Sequence, residues 1–393
     1  MARTIIGVND PKAVKKYTGL LAMDTSHKSY FNSRMMGRGA EAEVPIQILT
    51  ELESDAGENI AYDLLAELSM APVEGEDTLE GKEERQRFYT DSVYIDQARC
   101  GVNTGGRMTR KRTLNNLRDK ARRQQSSWWA RLFDELLFIY LSGARGSNSS
   151  TVGLSSSYTG RANNSIKSPD YEHRLYGYDA SDMPTVTSGI EITDIMNLGA
   201  IDRAWTRATV QGGGSTGVPV LQPCKIDGME TYVCVMHTYQ ENDLRTATGT
   251  GQWLDIQKAA AAAEGRNSPL FKGSLGMYRG VVLHSHKNIR TFASGDTMPA
   301  TVAAGTADSS TLSLASGGAS RALFMGAQAG VVAFGSPGTN LRFDWHEETR
   351  DNGDKVVIST SSIFGCKKVS FSTEATASQD FGVMAIDTAH TGT

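Results

Sequence analysis

The sequence has few of the features that mark a secreted protein or a metal protein. Its 393 residues include four cysteines, which are scattered and form no C-x-x-C pair: Cys100, Cys224, Cys234 and Cys366. Such thiols lack the paired spacing of a zinc site, and in a reducing compartment we expect them to stay unpaired. The opening MARTIIGVND has no apolar signal core. We therefore expect no secretion signal and a cytoplasmic protein.

A long hydrophobic run and a strong net charge are also missing. The most apolar stretch, WWARLFDELLFIYLSG, is interrupted by Arg131, Asp134 and Glu135, so it is not expected to cross a membrane. The formal net charge is -4, whereas a dedicated nucleic-acid binder would be clearly basic. A mildly acidic protein can lie beside DNA without being held by it.

Catalytic and ligand-binding motifs are equally scarce. His284 and His286 stand two apart on a predicted strand without the further ligands that a metal needs. Ser336 in FGSPG has Phe334 where the G-x-S-x-G motif requires glycine. The glycine-rich segments QGGGSTG and TGTGQW lack the Lys-Ser or Lys-Thr of a phosphate loop. We therefore predict no catalytic, metal-binding or cofactor-binding residues, and no enzyme.

Residues 1–56 mix polar segments with short apolar ones and predict an extended N-terminal arm. Ordering such a segment costs about 1–2 kcal/mol per residue, which a partner surface must offset. We expect the arm to lie on another copy of the chain. Removal of residues 1 to about 40 should then leave a folded subunit that assembles poorly.

Residues 57–106 are typical of a long β-hairpin. NIAYDLLAELSM leads out, VEGEDTLEGKEERQRF forms a very polar tip, and YTDSVYIDQARCGVN leads back. No proline from Val73 through Ser168 interrupts strand pairing or a helix. Because a two-stranded hairpin with a charged tip cannot bury its own faces, it needs another surface.

A long helix is predicted next, with a cationic first half and an apolar second half. Thr109 or Thr113 can cap its start, Gly143 can end it, and about 34 residues would span about 50 Å. Apolar residues recur at spacings of three and four, which indicates a core-facing stripe. The stripe comprises Trp128, Leu132, Phe133, Leu136, Leu137 and Tyr140.

The remaining chain alternates loops, helices and strands. Residues 145–190 predict a Ser- and Asn-rich insertion, and residues 295–320 another loop. Helices are predicted for EITDIMNLGAIDRAWTRAT, GQWLDIQKAAAAAE and the small-residue segment SRALFMGAQAGVVAFG. Strands are predicted for ETYVCVMHTYQ, GMYRGVVLHSHKNI, the tail CKKVSFSTEATASQDFGVMAIDTAHTGT, and LRFDWHEETRDNGDKVVISTSSIFG with its turn at Asn352-Gly353. The fold class is therefore α+β.

Several segments carry a resemblance to a known family: VYIDQARCGVNTGGRMTRKRT, WARLFDELLFIYLSG, LFKGSLGMYRGVVLHSHKNI, ALFMGAQAGVVAFG, and FGCKKVSF followed by DFGVMAIDT. In this order they resemble the major capsid proteins of tailed phages with the HK-97-like fold, in particular the schitovirus-type family of large podophages. The resemblance covers most of the chain from about residue 90 onward.

The resemblance implies a non-enzymatic subunit that assembles as hexamers and pentamers into an icosahedral shell around double-stranded DNA. It places the chain in the virion capsid after assembly in the host cytoplasm, without a membrane. The implied partners are further copies, a portal, scaffolding proteins and cement or decoration proteins, and the DNA would be enclosed without sequence-specific binding.

The family's architecture implies a division of the chain into five regions. These are the arm 1–56, the extended hairpin or E-loop 57–106, a peripheral domain 107–215 with a spine helix and the insertion 145–190, an axial domain 216–340, and return strands of the peripheral domain 341–393. An encapsulin-like nanocompartment shell on the same fold stays open, because sequence separates it poorly from a capsid. A hydrolytic or metal-dependent enzyme is opposed by the missing site.

Two oppositely charged sets predict a contact between neighbouring subunits. The hairpin tip carries Glu74, Glu76, Asp77, Glu80, Glu83 and Glu84. The start of the long helix carries Arg110, Arg112, Arg118, Arg122 and Arg123, with Arg107, Lys111 and Lys120 beside them. Because the hairpin points away from the helix that it precedes, we expect the tip to reach the helix or an adjoining surface of the next subunit.

Charge reversal at Arg118 and Arg122 should block assembly, and matching reversals at Glu80 and Glu83 should partly restore it. Each exposed pair contributes only about 0–1 kcal/mol, but repeated pairs set register. Assembly followed by light scattering should also slow from 0.1 M to 1 M salt, since the Debye length falls from about 10 Å to about 3 Å. Normal assembly of the single-side reversals would make the basic half a solvated face.

Overall fold

A computed structural model describes residues 11–39, 43–53, 57–65, 68, 70–113, 116–177, 184–210, 221–226, 229–246, 275–303, 306–336, 342–352, 354–372 and 378–390. The α-helices in these ranges are Pro11–Lys28 (α1), Arg107–Arg112 (α2), Leu117–Ser142 (α3), Leu198–Val210 (α4) and Thr238–Thr246 (α5). Short 3₁₀ turns lie at Glu51–Glu53 and Thr187–Gly189.

The strands of the described residues follow in chain order. They are Met36–Arg38 (β1), Ile46–Leu49 (β2), Asn59–Leu65 (β3), Phe88–Tyr94 (β4), Asp96–Asn103 (β5), Gly160–Arg161 (β6), Asn164–Ser165 (β7), Arg174–Tyr176 (β8), Cys224–Ile226 (β9), Met229–Met236 (β10), Gly276–Tyr278 (β11), Val281–Ser285 (β12), Thr291–Ala293 (β13), Thr301–Ala303 (β14), Thr306–Ala307 (β15), Gly318–Met325 (β16), Gly330–Gly335 (β17), Asp344–Arg350 (β18), Lys355–Lys368 (β19), Ser370–Phe371 (β20), Gln379–Asp380 (β21) and Val383–His390 (β22).

Two mixed sheets organise these strands. The six-stranded sheet, named the peripheral sheet after the region that the resemblance predicts, runs β1-β2-β17-β19-β18, and β5 also pairs with β19. The eight-stranded sheet, named the axial sheet in the same way, runs β11-β12-β10-β16-β22-β8, with β13 on β16 and β9 on β10. β1, β2 and β17 are parallel neighbours, while β17, β19, β18 and β5 pair antiparallel. The α+β class predicted from the sequence is therefore the observed one.

The predicted long helix is divided in two, and the 34-residue continuous helix is wrong. α2 ends at Arg112, the backbone of Thr113 after it is extended, and α3 starts anew after Asn116, whose side chain accepts the Asp119 N–H. At 26 residues α3 is about 39 Å long. It ends at Gly143 as predicted, in a left-handed conformation (φ 66°). A Cβ there would lie 2.3 Å from the Lys167 carbonyl oxygen, which explains the glycine.

The apolar half of α3 lies in the largest cluster of buried side chains. Leu132, Phe133, Leu136, Leu137 and Tyr140 are all buried, whereas Trp128 is half-buried. The neighbouring Trp129 is fully buried instead, and its Nε1 donates to Thr360 Oγ1 at 2.9 Å. The cluster also contains Val235 and Leu323 of the axial sheet, so α3 packs on both sheets.

The N-terminal region differs from the predicted extended arm. Residues 11–28 form α1, which packs along α3, and β1 and β2 extend the peripheral sheet. Leu21, Phe31 and Met35 are fully buried within their own chain. The mean hydropathy of the segment is low because its few apolar side chains stand among polar ones. These apolar side chains pack into the core of the same chain. Deletion through residue 40 would therefore remove core side chains and cannot test assembly alone.

The segment SRALFMGAQAGVVAFG is not helical as predicted but forms β16 and β17. Every residue of both strands is buried, because β16 lies between β10 and β22 and β17 lies between β2 and β19. An apolar run buried on both faces shows no alternation, so its pattern does not separate strand from helix.

The region boundaries also differ from those predicted. β17 lies before residue 340 but belongs to the peripheral sheet, whereas β22 lies beyond 341 and pairs with β16 and β8 in the axial sheet. The chain therefore passes between the two sheets after Met325 and again before Val383. Strand pairing sets these crossings, and sequence order alone does not reveal them.

The other elements follow the predictions more closely. β3 and β4 form the expected hairpin, but the returning segment then enters the peripheral sheet as β5. The predicted loop 145–190 contains β6, β7 and β8, while β13, β14, β15 and the start of β16 lie in or beside the predicted loop 295–320. The strands predicted around residues 231–240, 276–289 and 341–390 are present, with α5 replacing the end of the first. The predicted helix GQWLDIQKAAAAAE lies outside the described residues.

Leu136→Ala should lower the free energy of unfolding of the isolated subunit by about 2–5 kcal/mol, since a cavity would form in the main core. Urea unfolding of dissociated subunits measures the change. Leu20→Ala on α1 is a matched control, because Leu20 is 37% exposed against 1% for Leu136. Equal, small losses for both variants would show that the α3 stripe is not the core of the subunit.

Candidate assembly surfaces

The hairpin is anchored at its base and exposed at its tip. Near the base, the Tyr62 hydroxyl donates to Asp91 Oδ2 at 2.8 Å, and Lys367 pairs with the same carboxylate. Burial raises the pKa of Tyr62 far above its usual range, and the neighbouring Asp91 adds to the shift, so the phenol stays protonated. β3 and β4 have seven residues each, which holds the tip about 23 Å from the base.

Residues 70–87 beyond these strands are almost entirely exposed. Six carboxylates and three cations give this tip a formal charge of -3. Asp77 pairs with Lys82 at 3.2 Å and Glu84 with Arg87 at 3.4 Å, while Glu83 Oε2 accepts the Gly81 N–H. No ion pair joins Glu74, Glu76 or Glu80 to any described residue. Large apolar side chains are exposed here as well: Leu68, Met70, Leu79 and Phe88.

The basic set at the start of α3 is partly neutralised within its own chain. Arg118 pairs with Glu347, and Arg122 pairs with Asp24 of α1 and, at 3.2 Å, with Asp119. The spacing of Asp119 from Arg122 is visible in the sequence, but the partners from α1 and β18 required the fold.

The other basic residues are differently placed. Arg123 is largely exposed and lies 3.4 Å from Asp119, and Arg110 donates to the Asp354 carbonyl at 2.9 Å. Arg112 is exposed at the end of α2. Among the described residues, no ion pair joins this set to the hairpin tip. The contact between the two sets therefore stays a prediction about neighbouring copies.

A cleft that sequence reasoning missed lies between α1 and the peripheral sheet. It has a volume of about 290 Å³ and an apolar floor formed by Phe133, Val332, Phe334 and Phe343. α1 forms one wall, on which Met23 is 60% exposed. Its members come mainly from α1, β1, α3, β17 and the segment before β18, so no local motif indicates it.

Two guanidinium groups stand at this cleft. Arg342 donates from Nε to Glu53 Oε1 at 3.0 Å and lies 4.2 Å above the Phe334 ring, whereas its Nη2 is buried without a hydrogen-bond partner. Burial lowers the pKa of Arg342, Glu53 opposes the shift, and Arg38 adds to it. Arg38 is exposed and forms no ion pair with a described residue. The cleft thus combines apolar surface with unsatisfied positive charge.

The axial sheet contains a buried charge network that faces no solvent. Asp387 on β22 accepts from Arg321 at 2.7 and 2.9 Å and from Arg174 at 2.7 Å. Arg174 also donates to Asp308 at 3.1 Å, and Asp308 accepts from Thr187. Burial acts to raise the pKa of Asp387, but the two guanidiniums outweigh it and hold the pKa below its usual range. The network fastens β8, β16 and β22 to the loops beside them.

The axial sheet meets α1 and α3 at an aromatic joint. The His286 ring stacks on Phe138 at 4.8 Å and lies 4.6 Å from Tyr30. Asp134 of α3 holds the turn after α1 by accepting the Ser29 hydroxyl and the Tyr30 N–H. Burial raises the pKa of Asp134 to about 6. His284 on β12 and His286 just after this strand are thus packed at a joint between layers.

Comparisons with known proteins assign the chain to a family. The model of the family described as phage capsid protein matches residues 5–391. The chain belongs to this phage capsid protein family. It is 26% identical over 368 residues to the major capsid protein of Pseudomonas phage KPP25, with 88% of each chain covered.

Solved structures agree with this assignment. The capsid of Ralstonia phage GP4 matches with a TM-score of 0.76 and 43% identity, over 99% of this chain and 98% of that one. The capsid of cyanophage Pam1 matches with a TM-score of 0.62 at 17% identity over 94% of each chain, which shows a shared fold. The protein is a phage major capsid protein with the HK-97-like fold, and its copies form a capsid shell.

The family assignment confirms the predicted class of protein and does not extend to its schitovirus-type branch, which stays a prediction. The encapsulin alternative is not favoured, because these matches are phage capsids. In the described part of the capsid protein, no helix is long and apolar enough to span a membrane. The same residues contain no group of three His, Cys, Asp or Glu side chains placed to hold a metal ion.

Asp387→Asn should destabilise the isolated capsid subunit by about 3–5 kcal/mol, because it leaves two buried guanidiniums without their shared carboxylate. Glu348→Gln breaks the exposed pair with Arg350 and should leave the unfolding midpoint unchanged. Urea unfolding at pH 7 compares the two. A loss for Asp387→Asn no larger than that of the control would contradict a structural role for the network.

His286 should make the capsid protein less stable in acid. Burial lowers its pKa to about 4, with Lys287 and Arg290 adding, against about 6.5 in the unfolded chain. The folded state therefore binds the proton less well. This contribution to stability is complete above pH 6.5 and is lost as the pH falls towards 4, by on the order of 2–3 kcal/mol.

His286→Phe keeps the ring stack without the titrating group, so its unfolding free energy should fall less between pH 7 and pH 5 than that of the unsubstituted protein. His346→Phe, at an exposed position on β18, serves as the control and should keep the full loss. Identical pH dependence in all three proteins would remove His286 as a source of acid sensitivity.

Proposed function

We propose that the capsid protein assembles as hexamers and pentamers into an icosahedral shell that encloses the double-stranded DNA genome of a tailed phage. Shell formation follows from the family, and the finer geometry is the proposal. Assembly takes place in the host cytoplasm, with a portal and scaffolding proteins and with cement or decoration proteins as further partners. The DNA is enclosed without sequence-specific contacts, which suits a chain with a net charge of -4.

The hairpin tip carries this proposal. Residues 70–87 begin about 23 Å from the hairpin base and expose both charge and large apolar side chains. Exposed apolar surface of this kind marks a contact site, and a two-stranded ribbon needs a further surface for stability. We infer that the tip contacts the peripheral part of the next copy. The charged set at the start of α3, in particular Arg110, Arg112 and Arg123, is one candidate surface there.

Purified particles test the proposal by electron microscopy and by analysis of their contents. We expect closed icosahedral shells with hexameric and pentameric capsomers that hold nuclease-protected double-stranded DNA when isolated from infected cells. Protein cargo without DNA would favour the nanocompartment alternative. Rods, sheets or soluble oligomers without closed shells would contradict the proposed geometry.

A shortened hairpin separates folding from assembly. Replacement of residues 70–87 by two glycines leaves β3 and β4 intact, so the subunit should unfold at the same urea concentration as the full protein but form no shells. An equal-sized charge-neutral tip, with the six carboxylates changed to their amides, is the matched control for chain length. Normal shells from the shortened protein would show that the tip is dispensable.

A further inference from the structure

We propose that the cleft beside α1 receives the hairpin tip of a second copy, with Leu79 entering its apolar floor and Glu80 reaching Arg38 and Arg342 at its rim. The inference rests on the proposed assembly function and names the surface by which one copy holds the next.

The cleft offers what an amphipathic side-chain pair requires. Its floor of three phenylalanine rings and Val332 is apolar, and its volume of about 290 Å³ accommodates a branched aliphatic side chain. Met23 stands exposed on its wall, so an entering side chain would also cover this thioether. Removal of such surface from water is favourable in proportion to the apolar area buried.

The rim of the cleft carries two guanidinium groups that would pair with a carboxylate, Arg38 and Arg342. A guanidinium has five N–H donors and is not neutralised at physiological pH, so a buried nitrogen without an acceptor is unfavourable. Nη2 of Arg342 is in this position, although Nε of the same group has Glu53. Arg38 brings a second positive charge to the same cleft. A carboxylate that enters from solvent would pair with Arg38 and with the exposed part of Arg342, whose side chain is 20% exposed, while the buried Nη2 lies beyond its reach.

The tip supplies the matching chemistry. Leu79 is 52% exposed and lies between Asp77 and Glu80 within a segment of formal charge -3. Glu80 forms no ion pair with a described residue, whereas Asp77 is held by Lys82. A leucine next to an uncommitted carboxylate fits an apolar floor next to an uncommitted guanidinium. Charge complementarity of this kind fixes register more than it adds affinity.

A second copy is the occupant because the tip is held away from its own cleft. The seven-residue strands of the hairpin project it about 23 Å from the base, and no hydrogen bond or ion pair between described residues links tip and cleft in one chain. At the start of α3, Arg118 and Arg122 already have partners in their own chain, so only part of that basic set is left for the same carboxylates.

Disulfide trapping between two singly substituted chains tests the contact. Chains with Leu79→Cys and chains with Met23→Cys are assembled together and oxidised mildly. We expect a product of twice the chain mass on a non-reducing gel, lost on reduction and absent from either chain alone. Val210→Cys in place of Met23→Cys is the control, because Val210 is 78% exposed at the end of α4, away from the cleft.

Each outcome of the trapping experiment has a distinct meaning. Normal shells without the product, or with as much product from Val210→Cys, overturn the cleft contact and leave the shell function intact. An internal disulfide at single-chain mass in the Leu79→Cys, Met23→Cys double variant shows the tip folded onto its own cleft and also overturns it. Displacement of the tip by an added cement protein, with loss of the product, would assign the cleft to that partner.

Charge exchange provides an independent readout. Arg38→Glu, at an exposed position, should reduce the yield of shells about tenfold without changing subunit unfolding in urea. Adding Glu80→Arg in the same chain should restore the yield, whereas Glu74→Arg, elsewhere on the tip, should not. Wild-type yield from Arg38→Glu, or equal rescue by both arginines, would overturn the assigned pairing even if shells form normally.

Discussion

Burial of the apolar half of α3 is the interaction on which the rest of the capsid subunit depends. One cluster joins α3 to α1, to the peripheral sheet and to Val235, Val282 and Leu323 of the axial sheet. Two sheets are thus held by one helix, and Trp129 ties this helix to β19 by donating to Thr360. A defect in this cluster is therefore a defect of folding, and it differs from a defect at the hairpin tip, which has no part in it.

Charge is divided in the same way between interior and surface. The buried Asp387 has two arginine partners, so every strong charge in that network is compensated. At the surface, the tip keeps an excess of carboxylates, and the cleft keeps a guanidinium nitrogen without an acceptor. A protein that acted as a monomer would gain nothing by leaving both unmatched. Unpaired negative charge on one part of the chain and unpaired positive charge on another part allow one copy to bind the next, as a self-assembling subunit requires.

The sequence predicts elements whose side chains repeat with a clear period. The α3 stripe and its end at Gly143, the β3–β4 hairpin, and the strands around Asn352 all have such local signals. It fails where burial removes the period, as in β16 and β17, whose residues are buried on both faces. It also fails for α1 and the turn after it, since Leu21 and Phe31 are too few to outweigh their polar neighbours until α3 provides a surface.

The residues of the candidate contacts could likewise be predicted from the sequence only in part. The sequence alone shows the excess of carboxylates on the tip and of arginines at the start of α3. It does not show that Arg118 and Arg122 are already paired, because their partners Glu347 and Asp24 come from β18 and α1. The cleft is a product of tertiary structure and left no sequence signal, because its floor reads as ordinary core.

Weak tip contacts are consistent with the demands of a closed shell. Exposed ion pairs contribute about 0–1 kcal/mol each, so a wrongly docked copy can leave before it is built in. The same contact repeated around a closed ring is no longer independent, since release of one copy then requires several contacts to break together. Rejection of wrongly docked copies also requires a rigid subunit, because a deformable subunit would adapt to a wrong orientation and stay bound. α3 provides that rigidity by fastening both sheets, so that the weak surface contacts alone determine where the next copy binds.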